Sequence, residues 1–87
     1  MDNRFVDYSF PNSSSKTLED ILVADGLTLH FAVFSKVYIW VVTPGSVGNP
    51  TIGGQTLTTV PQEKSFIFDS TINPNGTGAR LQLLFIS

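Results

Sequence analysis

Turn-forming clusters punctuate this chain densely and regularly. They fall at Pro11-Asn12-Ser13, Asp25-Gly26, Pro44-Gly45, Gly48-Asn49-Pro50, Gly53-Gly54, Pro61 and Asn73-Pro74-Asn75-Gly76. Gly, Asn and Asp tolerate positive φ, and Pro fixes φ and withholds a donor, so each cluster ends whatever element precedes it. The segments between are rich in Val, Ile, Thr, Phe, Tyr and Leu. Many short β-type segments at close spacing predict a sandwich or small barrel. The expected fold is therefore all-β: an antiparallel β-sandwich or partly open barrel of about 6–8 short strands, with room for one short helix near residues 17–24. A single domain over 1–87 with a short N-terminal arm, about 1–16, fits the length.

Individual segments refine this. Arg4–Phe10 reads as a strand with Val6, Tyr8 and Phe10 on one face. Thr17–Ala24 is ambiguous. Leu18, Ile21 and Leu22 suit a helical face, and Thr17 with Asp20 could cap it. Asp25-Gly26, however, is a strong hairpin signal. A two-residue turn there pairs Ala24 with Leu27, Leu22 with Leu29 and Leu18 with Val33, so the hairpin is favoured over the helix. Leu27–Phe34 continues as a strand. Val37–Thr43 is apolar on both faces and reads as a central strand. Gly53-Gly54 marks a second hairpin between Thr51-Ile52 and Gln55–Val60. Lys64–Asp69 is a strand, Ser70–Gly78 a polar loop, and Ala79–Ser87 the last strand, with its outer half apolar on both faces.

At 87 residues, folding buries only about 60–65% of the unfolded chain's surface. Domains this small draw extra stability from disulfides, a metal or association. The chain has no Cys, which excludes disulfides, and with a single histidine, His30, a closed structural zinc site is not expected. Association remains. No cofactor is expected.

Charge narrows the partners. Charged residues make up 14% of the chain and the net charge is −2, against about 25% charged residues in an ordinary soluble domain. The five basic residues, Arg4, Lys16, Lys36, Lys64 and Arg80, are scattered singly. Nothing forms a phosphate-binding patch, which argues against nucleic acid. The start Met1-Asp2-Asn3-Arg4 carries no signal-peptide pattern. The apolar stretch Leu27–Val42 is broken by His30 and Lys36 and is too short to span a bilayer.

Catalytic chemistry finds little support. Nucleophilic catalysis needs an oriented base, and His30 stands without a motif. Glu19-Asp20 is the one adjacent acidic pair, but neighbours point apart on a strand and do not share a helix face. Asn73, Asn75 and Thr77 lack the acidic residues of a strong calcium loop. Gly53-Gly54 is too short to cradle phosphate. Asn12-Ser13-Ser14 and Asn75-Gly76-Thr77 match the glycosylation acceptor pattern, which matters only in a secreted eukaryotic chain.

The aromatic residues carry more information. Phe31, Phe34, Tyr38, Trp40, Phe66, Phe68 and Phe85 cannot all be fully interior in so small a sandwich. Aromatics amid few charges mark the cores of protein interfaces. The expected interface residues are Phe34, Tyr38, Trp40, Val42, Leu84 and Ile86. An exposed Trp40 or Tyr38 could instead stack on a sugar ring, as in a lectin-like module. A third expectation is an adaptor or inhibitor that adds an edge strand to a partner.

The absence of Cys, the few charges, the abundance of Ser, Thr, Gly and Asn, the polar N-terminal segment and the final strand at the chain end give this sequence a characteristic texture. In that texture it resembles small β-structured accessory proteins of bacteriophage particles, such as capsid decoration proteins and the bases of head fibres. The resemblance implies a non-catalytic structural role in a virion assembled in the host cytoplasm. The implied partners are copies of itself, a trimer first, or a larger protein assembly.

Overall fold

The computed structural model describes residues 3–27, 34–65 and 70–87. The described residues form an all-β, sandwich-like fold of two antiparallel sheets and one short helix. In chain order the described elements are β1 (Arg4–Ser9), β2 (Lys16–Thr17), α1 (Leu18–Ala24), β3 (Lys36–Thr43), β4 (Thr51–Ile52), β5 (Gln55–Thr56), β6 (Gln62–Ser65), β7 (Thr71–Asn73) and β8 (Arg80–Ile86). One sheet has the order β1-β8-β3-β6 and the other β2-β7-β4-β5.

Period-two alternation builds the core. Val37, Ile39 and Val41 of β3 and Leu81, Leu83 and Phe85 of β8 all point inward and are buried. Ile52 and Ile72 meet them from the second sheet, Leu57 from the chain just after β5, and Leu18, Ile21 and Leu22 from the helix. At Val41, whose N–H donates to the Thr58 carbonyl (2.8 Å), the chain following β5 comes alongside β3. β3 lies between β8 and β6, as its two apolar faces predict.

The hairpin expected around Asp25-Gly26 is overturned, because residues 18–24 are helix α1. Thr17 accepts from the Asp20 N–H while the Asp20 carboxylate accepts from the Thr17 N–H, which closes a reciprocal capping box. That backbone bond is the main cause holding the Asp20 carboxyl below its ordinary pKa. Asp25-Gly26 ends the helix instead of turning a hairpin. Gly26 has φ 96°, its N–H donates to Val23, and the Leu27 N–H donates to Leu22. These two bonds form a Schellman cap. Asp-Gly satisfies a helix end as readily as a two-residue turn, since both need a residue at positive φ. The capping box and the spacing of Leu18, Ile21 and Leu22 decide between them.

Gly53-Gly54 does turn the β4–β5 hairpin, with φ of 55° and 83°. Within the stretch read as polar loop, Thr71–Asn73 forms β7, which pairs with both β2 and β4. Only Ile72 of that strand is buried, so one apolar residue carried its signal. The strand expected over Leu27–Phe34, the reading of His30 and the aromatics Phe31, Phe66 and Phe68 fall wholly or mostly outside the described residues. Among the described residues no helix is long and apolar enough to cross a membrane.

Two loops lock one end of the fold. Ser46 N–H donates to Thr77, Val47 N–H to Asn75, and the Asn75 carboxamide to the Asn49 carbonyl. Gly45 is buried in this clasp against the backbone carbonyls of Pro74 and Asn75.

Candidate functional site

The candidate site is the outer face of the four-stranded sheet. Inward residues of β3 and β8 fill the core, so their alternates must point out. On β3 these are Lys36, Tyr38, Trp40 and Val42, and on β8 Arg80, Gln82, Leu84 and Ile86. The register sets Tyr38 beside Leu84, Trp40 beside Gln82 and Lys36 beside Ile86. β1 adds Phe5 opposite Leu84 and Asp7 opposite Gln82, while β6 adds Glu63 opposite Tyr38.

Five of the six residues expected at an interface therefore share this face: Tyr38, Trp40, Val42, Leu84 and Ile86. Val42 is 40% exposed, and the other four are partly exposed. A register shift between Val41 and Thr43 ends the regular β3–β8 ladder beside Val42. The sixth residue, Phe34, does not belong. It is 7% exposed, and its ring packs 5.4 Å from the ring of Phe85 in the core. Phe34 precedes β3 and so escapes the alternation that sorts the others.

Phe5 was missed, and it is the most exposed aromatic described, at 53%. Its ring centroid lies 6.2 Å from that of Trp40, so the two rings reach across β8 to each other. The signal was present in the reading of Arg4–Phe10. Placing Val6, Tyr8 and Phe10 on one face leaves Phe5 on the other.

Polar groups bracket the apolar centre at two opposite corners. At one, the Arg80 guanidinium forks onto the Asp7 carboxylate, with Nε to Oδ1 at 2.8 Å, and the Gln82 amide adds a longer bond. The hydrogen bond from Arg80 holds the Asp7 carboxyl down at about 2. At the other corner Lys36 Nζ lies 3.3 Å from Glu63 and 5.6 Å from the centre of the Tyr38 ring. Its hydrogen bond to Glu63 raises the Lys36 pKa. The Trp40 indole N–H donates to Gln82 Oε1 at 2.9 Å.

Chemically this face offers contact area, flat rings and fixed charges. Among the described residues no group of three or more His, Cys, Asp or Glu could hold a metal ion. No family model matches the chain, and comparison with curated proteins and with solved structures finds no match.

Proposed function

We propose that this chain is a non-catalytic assembly protein that works by docking the outer face of its β1-β8-β3-β6 sheet onto protein, in the first place onto copies of itself, as an accessory subunit of a phage particle. The observation that carries the reading is the partly exposed cluster of Phe5, Tyr38, Trp40, Leu84 and Ile86 on a sheet whose other face already covers the core. Aromatic residues at the centre with ion pairs at the margin are the composition of a protein interface. The virion role rests on the textural resemblance alone.

Sedimentation velocity over a concentration series tests the docking face. The wild-type chain is expected to associate, and Leu84→Lys, which puts a charge at the centre of the face, to stay monomeric with an unchanged circular-dichroism spectrum. Association that survives Leu84→Lys would remove this face from the proposal. The virion role is tested separately, by probing purified particles from the source for this chain in stoichiometric amount. Its absence there would end that part of the reading.

A further inference from the structure

The two charged corners have a common design. Each places its acid on an outermost strand of the sheet as described, Asp7 on β1 and Glu63 on β6. Each places its base on the neighbouring inner strand, Arg80 on β8 and Lys36 on β3, one outward-facing position nearer the end of the sheet. Between the corners, the line from Phe5 to Trp40 runs obliquely across the sheet. We propose that the occupant of this face is a second copy of the chain, related by a half turn about an axis lying in the face along the Phe5–Trp40 line, so that Asp7 of each copy meets Lys36 of the other and Arg80 meets Glu63. The inference rests on the docking-face reading above and adds its symmetry and its contacts.

Geometry and charge support the pairing together. A half turn about that oblique axis lays each corner on the opposite corner of the other copy. Acid then faces base at all four contacts, and the intrachain pairs become two four-charge networks. The rings on the axis meet their own counterparts, as an isologous contact requires. Strands of the two copies cross steeply, in the manner of orthogonally packed sheets. A half turn about an axis parallel to the strands fails this test, because it sets Asp7 on the Trp40 side of the face and leaves the charges unmatched.

The footprint is modest. Four strands by the length of β8 make roughly 19 by 24 Å at ordinary strand spacings. That lies below the ~800 Å² per partner of a standard stable interface. The pair is therefore weak enough for corner charges to decide whether it forms, and like charges brought together across an interface are strongly unfavourable.

Two charge-reversal variants test the arrangement, each keeping its own intrachain pair and the net charge. One carries Asp7→Lys with Arg80→Glu, the other Lys36→Glu with Glu63→Lys. Alone, each would face like charges at every corner. Sedimentation should show self-association weakened by about tenfold or more relative to wild type. Mixed in equal amounts they regain opposite charges at every corner, and dimers of wild-type affinity are expected. Wild-type-like association of either variant alone, no recovery on mixing, or a trimeric or monomeric wild type overturns the pairing. If Leu84→Lys still abolishes association in the first two cases or for a trimer, the docking face itself stands. Should a double variant fail to fold, salt decides: wild-type dimers that weaken as salt rises support the pairing, and salt-independent dimers overturn it.

Discussion

Trp40 and Gln82 face each other across the β3–β8 pair, and the indole N–H donates to the carboxamide oxygen at 2.9 Å. The bond leaves the indole ring partly exposed yet fixed, leaning toward Phe5. Fixed rings lose little entropy on docking, which favours recognition by this face.

Trp40 is the chain's single tryptophan, so its emission reports on this face alone. If the proposed self-association buries this face, the emission maximum is expected to shift to the blue as the protein is concentrated. In Leu84→Lys it should stay put. Titration with mono- and oligosaccharides should leave the spectrum unchanged. A saturable shift with sugar would favour the lectin-like reading over self-association.

Gln82→Ala removes the acceptor of this partly buried bond and the secondary donor to Asp7. Loss of a hydrogen bond of this kind costs about 1 kcal/mol. Urea denaturation should show that loss with an unchanged m-value. A loss as large as that of a core truncation, ~3–5 kcal/mol, would mean that Gln82 supports more than the indole.

The loop clasp makes a sharper steric prediction. A Cβ on Gly45 would lie 2.2 Å from the Pro74 carbonyl oxygen and 2.3 Å from that of Asn75. Both are backbone atoms; the Asn75 carbonyl accepts from the Val47 N–H and the Asn75 side chain is anchored on Asn49, so this turn cannot step aside cheaply. Gly45→Ala should destabilise by about 1–3 kcal/mol, the usual cost of overpacking. Gly48→Ala meets only the Asn75 side chain, at 3.2 Å, and should cost far less. Thermal melts of the two variants compare them directly.

How much was legible in the sequence follows from how each signal works. Alternation over six to eight residues is redundant, so β1, β3 and β8 and the two faces of the main sheet could be read without contacts. Phe34 shows the boundary of that method: outside the strand, only packing against Phe85 reveals which way it points. β2, β4, β5 and β7 are two or three residues long. Such strands exist because neighbours pair with them, and Thr71–Asn73 has one apolar residue to announce itself. The register that gathers Phe5, Asp7 and Glu63 beside β3 and β8 is likewise long-range information.

The helix was obscured for a different reason: Asp25-Gly26 serves two structures equally well. Thr17 is the residue that tips the balance, because it is one partner in both halves of the capping box. Thr17→Ala should lower stability by about 1 kcal/mol, and Thr17→Ser should retain most of it. Chemical denaturation distinguishes the two. A negligible effect of Thr17→Ala would mean that burial of Leu18, Ile21 and Leu22 alone holds the helix.

Asp7 and Arg80 give the fold a predictable response to acid. The folded-state pKa of Asp7 is lowered from 3.8 to about 2, chiefly by the Arg80 hydrogen bond. A depressed carboxyl stabilises the fold above its unfolded pKa, and the contribution disappears as pH falls through the folded value. Arg80 stays charged throughout, since the same pair raises its pKa. Wild type should therefore melt above Asp7→Asn at neutral pH, and the gap between them should close from about pH 4 downward and vanish near pH 2. Asp20 also has a lowered pKa, but it acts on both proteins alike, so the difference isolates Asp7. Arg80→Gln should reproduce the neutral-pH loss, because either change breaks the same fork. A gap that persists at pH 2 would mean that Asp7 contributes by packing against Gln82 and Arg80, with its charge irrelevant.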